Sequence, residues 1–447
     1  MFKRVLIANR GEIALRILRA CRRLGLETVG VYSKADEDAL HLRYVDHKVC
    51  VGPPASGESY LNIRNIIGAA EISGADAVHP GYGFLAENEE FARACADNGI
   101  VFIGPSPEAL SLTGNKANAR EAMQRAGVPV LPGYSAPDLD DSVALRVAEE
   151  MGFPVLLKAS LGGGGKGMRV VSNRQELVKM LPLVKAEARS AFGSEEIYVE
   201  KFLRNARHVE IQVLGDREGR VVHLFERDCS IQRRNQKLLE EAPSPALDQE
   251  TRKAMGEAAV RGASSIGYCG VGTMEFLLDE GGRFYFMEFN ARIQVEHPVT
   301  EMVTGIDIVS EGIRVAAGEP LSFSQEEVRL NGHAIECRIN AEDAGRDFLP
   351  TPGVIERWSP PGGPEVRVDS HCYQGYRVSP NYDSLLAKLI VHGRDRDEAI
   401  RGMAQALQEF VVEGVHTLIP WHLRLLRNRR FLSGAYHTRS VELGEFQ

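Results

Sequence analysis

Cysteine is sparse and odd in number. Cys21, Cys50, Cys95, Cys229, Cys269, Cys337 and Cys372 include no CxxC pair. That excludes a disulfide framework and a zinc knuckle, and it fits a reducing, cytoplasmic setting. Long apolar runs are missing as well. The opening MFKRVLIANRGEIALR is broken by Arg10, Glu12 and Arg16, which is no pattern for a secretory leader. No uninterrupted apolar stretch is long enough to cross a bilayer, so no membrane association is expected. There is no repeat of solenoid period and no low-complexity tract. A basic excess is absent too: the net charge is −8 over 447 residues, which argues against a general nucleic-acid surface and leaves room only for local basic sites. Two phosphate-binding signatures are also lacking. The first strand-to-helix turn reads ANRGEIA rather than GxGxxG, and no GxxxxGK frame occurs, so neither a dinucleotide nor a P-loop is assigned.

What remains is an ordinary globular composition whose length allows about three domains. Residues 4–8 (RVLIA) read as a buried strand and residues 11–24 as an amphipathic helix. Ile13, Ile17, Ala20 and Leu24 make its apolar stripe, with Arg16, Arg19 and Arg23 off it. Strand-like runs recur at 27–33, 48–52, 76–79 and 100–104 with helical patterns between several of them, which predicts a doubly wound α/β unit on a parallel sheet. The loop HPGYGFL (79–85) follows one of these strands at its carboxyl end, where such sheets place ligands. It reads equally well as a tight loop around a packed aromatic pair. From His333 onward the pattern is that of an α+β unit with a final helix over 397–412. There Arg338 shares a strand face with Glu336 and Asn340, by itself a structural ion pair.

Lys116 opens a helix that Gly127 closes, with Pro129 just beyond. An apolar strand then ends at Lys158, and four glycines, Gly162 to Gly165, precede Lys166. Glycines let backbone N–H groups approach a phosphate, and lysines add point charges. A tip so rich in glycine suits a mobile lid over a nucleotide. Residues 197–203 read as a strand with Glu200 and Lys201 on opposite faces. Beyond it His208, Glu210 and Gln212 alternate. Arg227, Arg233, Arg234 and Lys237 then crowd near Asp228, Glu240 and Glu241, either as a salt-bridged surface or as cations for an anion site.

The most ordered stretch is 273–301, TMEFLLDEGGRFYFMEFNARIQVEHPVTE. It reads as two strands joined at Gly281-Gly282 and followed by an extended segment. Glu288, Asn290, Arg292, Gln294 and Glu296 recur at every second position, so a continuously extended backbone would point all five to one side. With Glu275 on the first strand, two carboxylates and an amide oxygen form a hard-oxygen set suited to Mg²⁺. A cation two residues further on suits an anionic substrate. A hairpin with a plain polar face is the simpler alternative.

Together IANRGEIA, HPGYGFLAEN, KASLGGGGKGMR, RHVEIQV, RDCSIQRRNQK, EFNARIQVEHPVTE and ECRINAED resemble biotin carboxylase, of the ATP-grasp superfamily, over essentially the whole chain. The resemblance implies a pre-ATP-grasp, Rossmann-like α/β domain over 1–114. An ATP-grasp domain follows over 115–330, with a lid at about 131–203, and a C-terminal biotin-carboxylation domain over 331–447. Carried onto this chain, the family's ATP contacts fall on Lys116, Lys158, Gly164, Gly165, Glu200, Lys201, Leu203, His208, Gln232, Asn235, Glu275, Leu277 and Glu288. Its metal ligands fall on Glu275, Glu288 and Asn290. Its bicarbonate site falls on Lys237, Arg292, Gln294, Val295 and Glu296, and its biotin site on Tyr82 and Arg338. Leu161, Lys166, Asn235, Phe289 and Ala291 depart from the expected pattern, and none of them removes a catalytic group.

The implied activity is that of an ATP-dependent ligase. It would use ATP and two Mg²⁺ ions (Mn²⁺ able to substitute) to make carboxyphosphate from bicarbonate and then carboxybiotin, with Arg292, Glu296, Lys237 and Arg338 as catalytic groups. No Met-Lys-Met biotin-attachment site occurs, so the biotin would be carried on a separate carrier protein. That carboxylation would be the first half-reaction of an acetyl-CoA or other acyl-CoA carboxylase of fatty acid synthesis, with a carboxyltransferase as a further partner, and the subunit would be a free-standing cytoplasmic homodimer. Two rivals are an ATP-grasp ligase joining a carboxylate to an amine and a non-catalytic nucleotide-binding subunit.

Overall fold

Val5, Leu6 and Ile7 are apolar on both faces and wholly buried, as the middle strand of a parallel sheet requires. The computed structural model describes residues 2–135, 141–159, 168–192 and 197–446. Leu161, the glycines Gly162 to Gly165 and Lys166 lie outside the described residues. The strand Arg4–Ile7 sits at the centre of five parallel strands in the order His47–Gly52, Glu27–Ser33, Arg4–Ile7, Ala77–His79, Val101–Phe102. The helix Gly11–Arg23 packs Ile13, Ile17 and Ala20 into the core as expected. Arg16 departs from the expectation of an off-stripe residue. It is buried because its guanidinium meets Glu301 at 2.7 Å and Asp307 at 2.5 Å. At the carboxyl end of Ala77–His79 the loop turns at Gly81, whose φ is +66°. A Cβ there would lie 2.9 Å from Nδ2 of Asn9, the group that donates to the carbonyls of Pro80 and Tyr82 and so ties this loop to the first strand.

The second sheet has eight antiparallel strands. Their order is Phe284–Asn290, Gly270–Leu278, Arg207–Gly215, Val221–Arg233, Gln236–Ala242, His333–Asn340, Leu385–Gly393, Val366–Ser370. Alternation along Arg207–Gly215 decides its two faces. Val209, Ile211 and Val213 enter an apolar core with Met255, Ala258, Met274 and Phe276, under the helix Gln249–Ser265. His208, Glu210 and Gln212 face the other way, and they too are buried. The sheet runs on past residue 330: Leu239 pairs with Cys337 and Glu240 with Glu336. Side chains far apart in sequence, such as Lys237 and Arg338, therefore stand on one continuous platform.

A four-stranded sheet, Gly133–Ser135, Ile197–Lys201, Val155–Ala159, Met168–Val171, forms a separate layer with the helices Asp141–Met151 and Arg174–Phe192. Its own core includes Val155, Leu157, Leu177, Leu181 and Val199. Near the carboxyl end the helix Arg396–Glu409 covers the large sheet through Ala399, Ile400, Met403 and Leu407. Among the described residues no helix is long and apolar enough to cross a membrane.

Candidate active site

The hairpin at residues 270–290 places Glu275 directly across from Glu288 and Thr273 across from Asn290. The strand ends at Asn290, so the extended run expected through Glu296 does not form. Residues 291–296 are a loop, and the helix His297–Thr304 begins with Pro298 in its first turn. The cause is Glu87, whose carboxylate accepts Ala291 N–H at 3.0 Å and Nε of Arg292 at 2.8 Å in place of a ladder partner. The polar side chains still converge, through loop folding rather than a period of two. Arg292 donates to Gln294 at 2.9 Å and Asn290 at 3.1 Å, and Gln294 donates to Glu275 at 3.3 Å. Glu288, across the ladder from Glu275, pairs with Lys116 at 3.1 Å.

Lys237 is the hub. Its Nζ lies 2.5 Å from Glu296, 2.6 Å from Glu210 and 3.0 Å from Glu275. Burial opposes the ammonium charge, but the three carboxylates outweigh it and hold the lysine well above its ordinary pKa. Glu275 is the converse case. Burial pushes it up, Lys237 and His208 pull it down further, and it settles at about 2. His208, 3.1 Å from Glu275 and 3.6 Å from Glu210, is desolvated yet raised to about 9 by Glu275 and remains a cation at neutral pH. Beneath them Arg227 is wholly buried. It donates to Glu210 at 2.6 Å, Gln212 at 2.7 Å, Thr300 at 3.0 Å and Thr273 at 3.1 Å. The stretch read as a possible salt-bridged surface is divided: Arg227, Glu240 and Glu241 have no exposed area, while Arg233 and Arg234 pair with exposed Asp347 at the surface.

Arg338 closes the group from the neighbouring strand His333–Asn340. Its guanidinium reaches Glu240 at 2.5 Å and Glu296 at 2.9 Å. The two oxygens of Glu296 are therefore divided, Oε1 to Lys237 and Oε2 to Arg338. Burial pushes Glu240 up to about 7 despite Arg338, with the Glu296 charge adding to the rise. Tyr82 donates to Glu12 at 2.6 Å and lines a cavity of about 360 Å³ with Glu12, Gly83, His371, Tyr382 and Asp383.

On the other flank Lys158 pairs with Glu200 at 2.8 Å, and Lys201 turns away to donate to the carbonyl of Gly152 at 2.7 Å, as opposite strand faces require. Gln232 is across the ladder from Lys237 and His208 across from Leu277. Asn235 sits exposed in the turn at φ +65°. Leu203 lies just past the strand Ile197–Lys201. Among the described residues His208, Glu210 and Glu275 bring their ligand atoms within 4.8 Å of one another, as do Glu210, Cys229 and Glu296. The sequence pattern offers Arg227 only as one of several cations near an anion site and does not mark Glu210 or Glu240 as site residues. The alternation of His208, Glu210 and Gln212 on one strand was the available signal for Glu210.

The chain matches three family models: biotin carboxylase, N-terminal domain, over residues 1–110; carbamoyl-phosphate synthase L chain, ATP binding domain, over 115–324; and biotin carboxylase C-terminal domain over 336–443. It is 55% identical over 443 residues to biotin carboxylase 1 of Bacillus subtilis, covering 99% of this chain and 98% of the relative. A crystal structure of the biotin carboxylase–βγ-ATP complex from Campylobacter jejuni is 51% identical with a TM-score of 0.93, covering 99% of each chain. The biotin carboxylase domain dimer of Hydrogenobacter thermophilus 2-oxoglutarate carboxylase, in complex with MgADP, ADP and bicarbonate, is 50% identical with a TM-score of 0.92. That match covers 100% of this chain and 99% of the other.

Proposed function

The chain belongs to the biotin carboxylase family of ATP-dependent ligases, and on that premise we propose how its own side chains divide the carboxylation of biotin by ATP and bicarbonate. The observation that carries the assignment is Glu296 held between two cations, Lys237 at 2.5 Å and Arg338 at 2.9 Å. One cation belongs to the bicarbonate side and the other to the biotin side.

Lys237 and Arg292 anchor bicarbonate, with Gln294 and the Val295 backbone completing its cradle. Glu296 accepts the bicarbonate proton as an oxygen attacks the γ-phosphorus of ATP, giving carboxyphosphate and ADP. Lys116, Lys158 and the glycine run with Gly164 and Gly165 hold the phosphates. Glu200, Lys201, Leu203, His208, Gln232, Asn235 and Leu277 surround the rest of the nucleotide. Glu275, Glu288 and Asn290 fit Mg²⁺, because all three offer hard oxygens on paired strands. These residues would hold the ion, which would supply neutralisation of the charge on the transferring phosphoryl group. Carboxyphosphate decomposes to CO₂ and phosphate in a site from which water is kept. Phosphate takes the ureido N–H proton of biotin, the nitrogen attacks CO₂, and Arg338 stabilises the enolate-like oxygen of the ring. The cavity beside Tyr82 is of a size that holds a small ligand, and it suits biotin and its tether.

We place domain boundaries at 114/115 and 330/331, with the lid at about 131–203. The reading extends to a cytoplasmic homodimer, in keeping with the dimer of the Hydrogenobacter relative. Its biotin would be carried on a separate carrier protein, its carboxylation being the first half-reaction of an acyl-CoA carboxylase, and the carboxybiotin formed would then pass to a carboxyltransferase. The test is bicarbonate-dependent ATP hydrolysis with and without free biotin, together with assay of carboxybiotin. Stimulation by biotin and formation of carboxybiotin are expected. Their joint absence, or turnover on a carboxylate and an amine without bicarbonate, would overturn the reading.

A further inference from the structure

The geometry points to Lys388 as a positioning residue that ties the biotin pocket to the loop carrying the general base, an inference that rests on the functional reading above. Lys388 lies in the strand Leu385–Gly393 with Arg338 directly opposite on one neighbouring strand and Asp369 opposite on the other. Directly opposed residues share a sheet face, so its side chain points to the face that bears Arg338. That side chain has no exposed area. A buried ammonium costs stability relative to an apolar chain of similar length, so its role is sought in what it holds.

It holds two things. Its Nζ donates to the carbonyl of Val295 at 2.7 Å and meets Oε1 of Glu12 at 3.1 Å. The carbonyl of Val295 and the N–H of Glu296 belong to one rigid peptide plane. Fixing that carbonyl therefore fixes the approach of the backbone to Glu296, and with it the aim of the carboxylate between Lys237 and Arg338. The same Glu12 oxygen accepts the hydroxyl of Tyr82 at 2.6 Å, and Glu12 and Tyr82 both line the 360 Å³ cavity. The path Tyr82–Glu12–Lys388–Val295 is continuous, every step a charge-assisted contact. A biotin ring that displaces the Tyr82 hydroxyl alters the partners of Glu12, then the share of Lys388 available to Val295. Occupancy of the biotin pocket thus adjusts the bicarbonate loop before chemistry begins.

The experiment uses the full chain. Carboxybiotin formation by the unchanged protein is measured first, since its absence would remove the functional reading rather than this one. Lys388→Met is then compared with the parent in bicarbonate-dependent ATP hydrolysis, with and without free biotin. The KM for bicarbonate is expected to rise about tenfold or more, the scale of a lost hydrogen bond to a charged donor, while the KM for ATP stays within about twofold. The stimulation by biotin is expected to fall. A purely structural lysine would lower kcat with the folded fraction and leave both KM values and the stimulation ratio in place, which would overturn the proposal. Glu12→Gln, which keeps the Lys388–Val295 bond, serves where Lys388→Met does not fold. It should reduce the stimulation ratio, and a ratio equal to that of the parent would overturn the coupling.

Discussion

Glu240 and Glu336 stand directly opposite each other on paired strands, both without exposed area, and neither oxygen of Glu336 has a hydrogen-bond partner among the described residues. Burial pushes the Glu336 carboxyl well above its ordinary value, Lys388 opposes the rise, and the neighbouring Glu240 adds to it. A carboxyl whose folded pKa is raised contributes stability below its unfolded pKa and loses it as pH climbs toward the folded value. The parent should therefore lose stability from this group as pH rises above about 4.5, at up to about 1.4 kcal/mol per pH unit. Glu336→Gln removes the titration. Thermal unfolding from pH 5 to pH 8 should show the Tm difference, variant minus parent, growing with pH. A constant difference would mean that the carboxyl is ionised in the fold.

Lys237 is in ion-pair contact with three buried carboxylates at once. Lys237→Met leaves them only Arg227, His208 and Arg338 as counter-charges, which should cost about 3–5 kcal/mol, the scale of breaking a buried ion pair. The measurement is a lower Tm at neutral pH. Bicarbonate-dependent ATP hydrolysis should fall about 10²–10³-fold as the anion loses its anchor. Retention of parent activity would remove Lys237 from the bicarbonate site.

Arg338 donates to Glu240 and to Glu296. Arg338→Ala should reduce carboxybiotin formation about 10²-fold or more, as loss of a charge-stabilising donor does, with a smaller loss in bicarbonate-dependent ATP hydrolysis. Equal losses in both assays would argue against a role on the enolate.

Much of the architecture was legible because period and punctuation agree. The apolar strand 4–8 and the helix that follows it fall within a residue of where pattern placed them, and the hairpin turns where the Gly281-Gly282 pair placed it, although its first strand begins at Gly270 rather than Thr273. The residues that escaped are those whose setting depends on partners remote in sequence. Arg16 looked like a surface residue until Glu301 and Asp307 came to it. Arg227 belonged to a string of charges that no local rule separates from a solvated face, and its burial depends on Glu210, Gln212, Thr273 and Thr300. The alternation from Glu288 to Glu296 pointed to a real cluster for an incomplete reason. The strand stops at Asn290, and Glu87, over two hundred positions earlier, shapes the loop that gathers the remainder. Lys388 was an unremarked member of a longer motif. Its significance depends on a backbone carbonyl, which no side-chain pattern reveals.

The role of Glu296 admits the most direct measurement: bicarbonate-dependent ATP hydrolysis by Glu296→Gln, with folding checked by thermal unfolding. Loss of a general base is expected to lower the rate by about 10²–10⁴-fold with and without biotin. A folded Glu296→Gln protein that hydrolyses ATP at the parent rate, and carboxylates biotin as the parent does, would contradict the account.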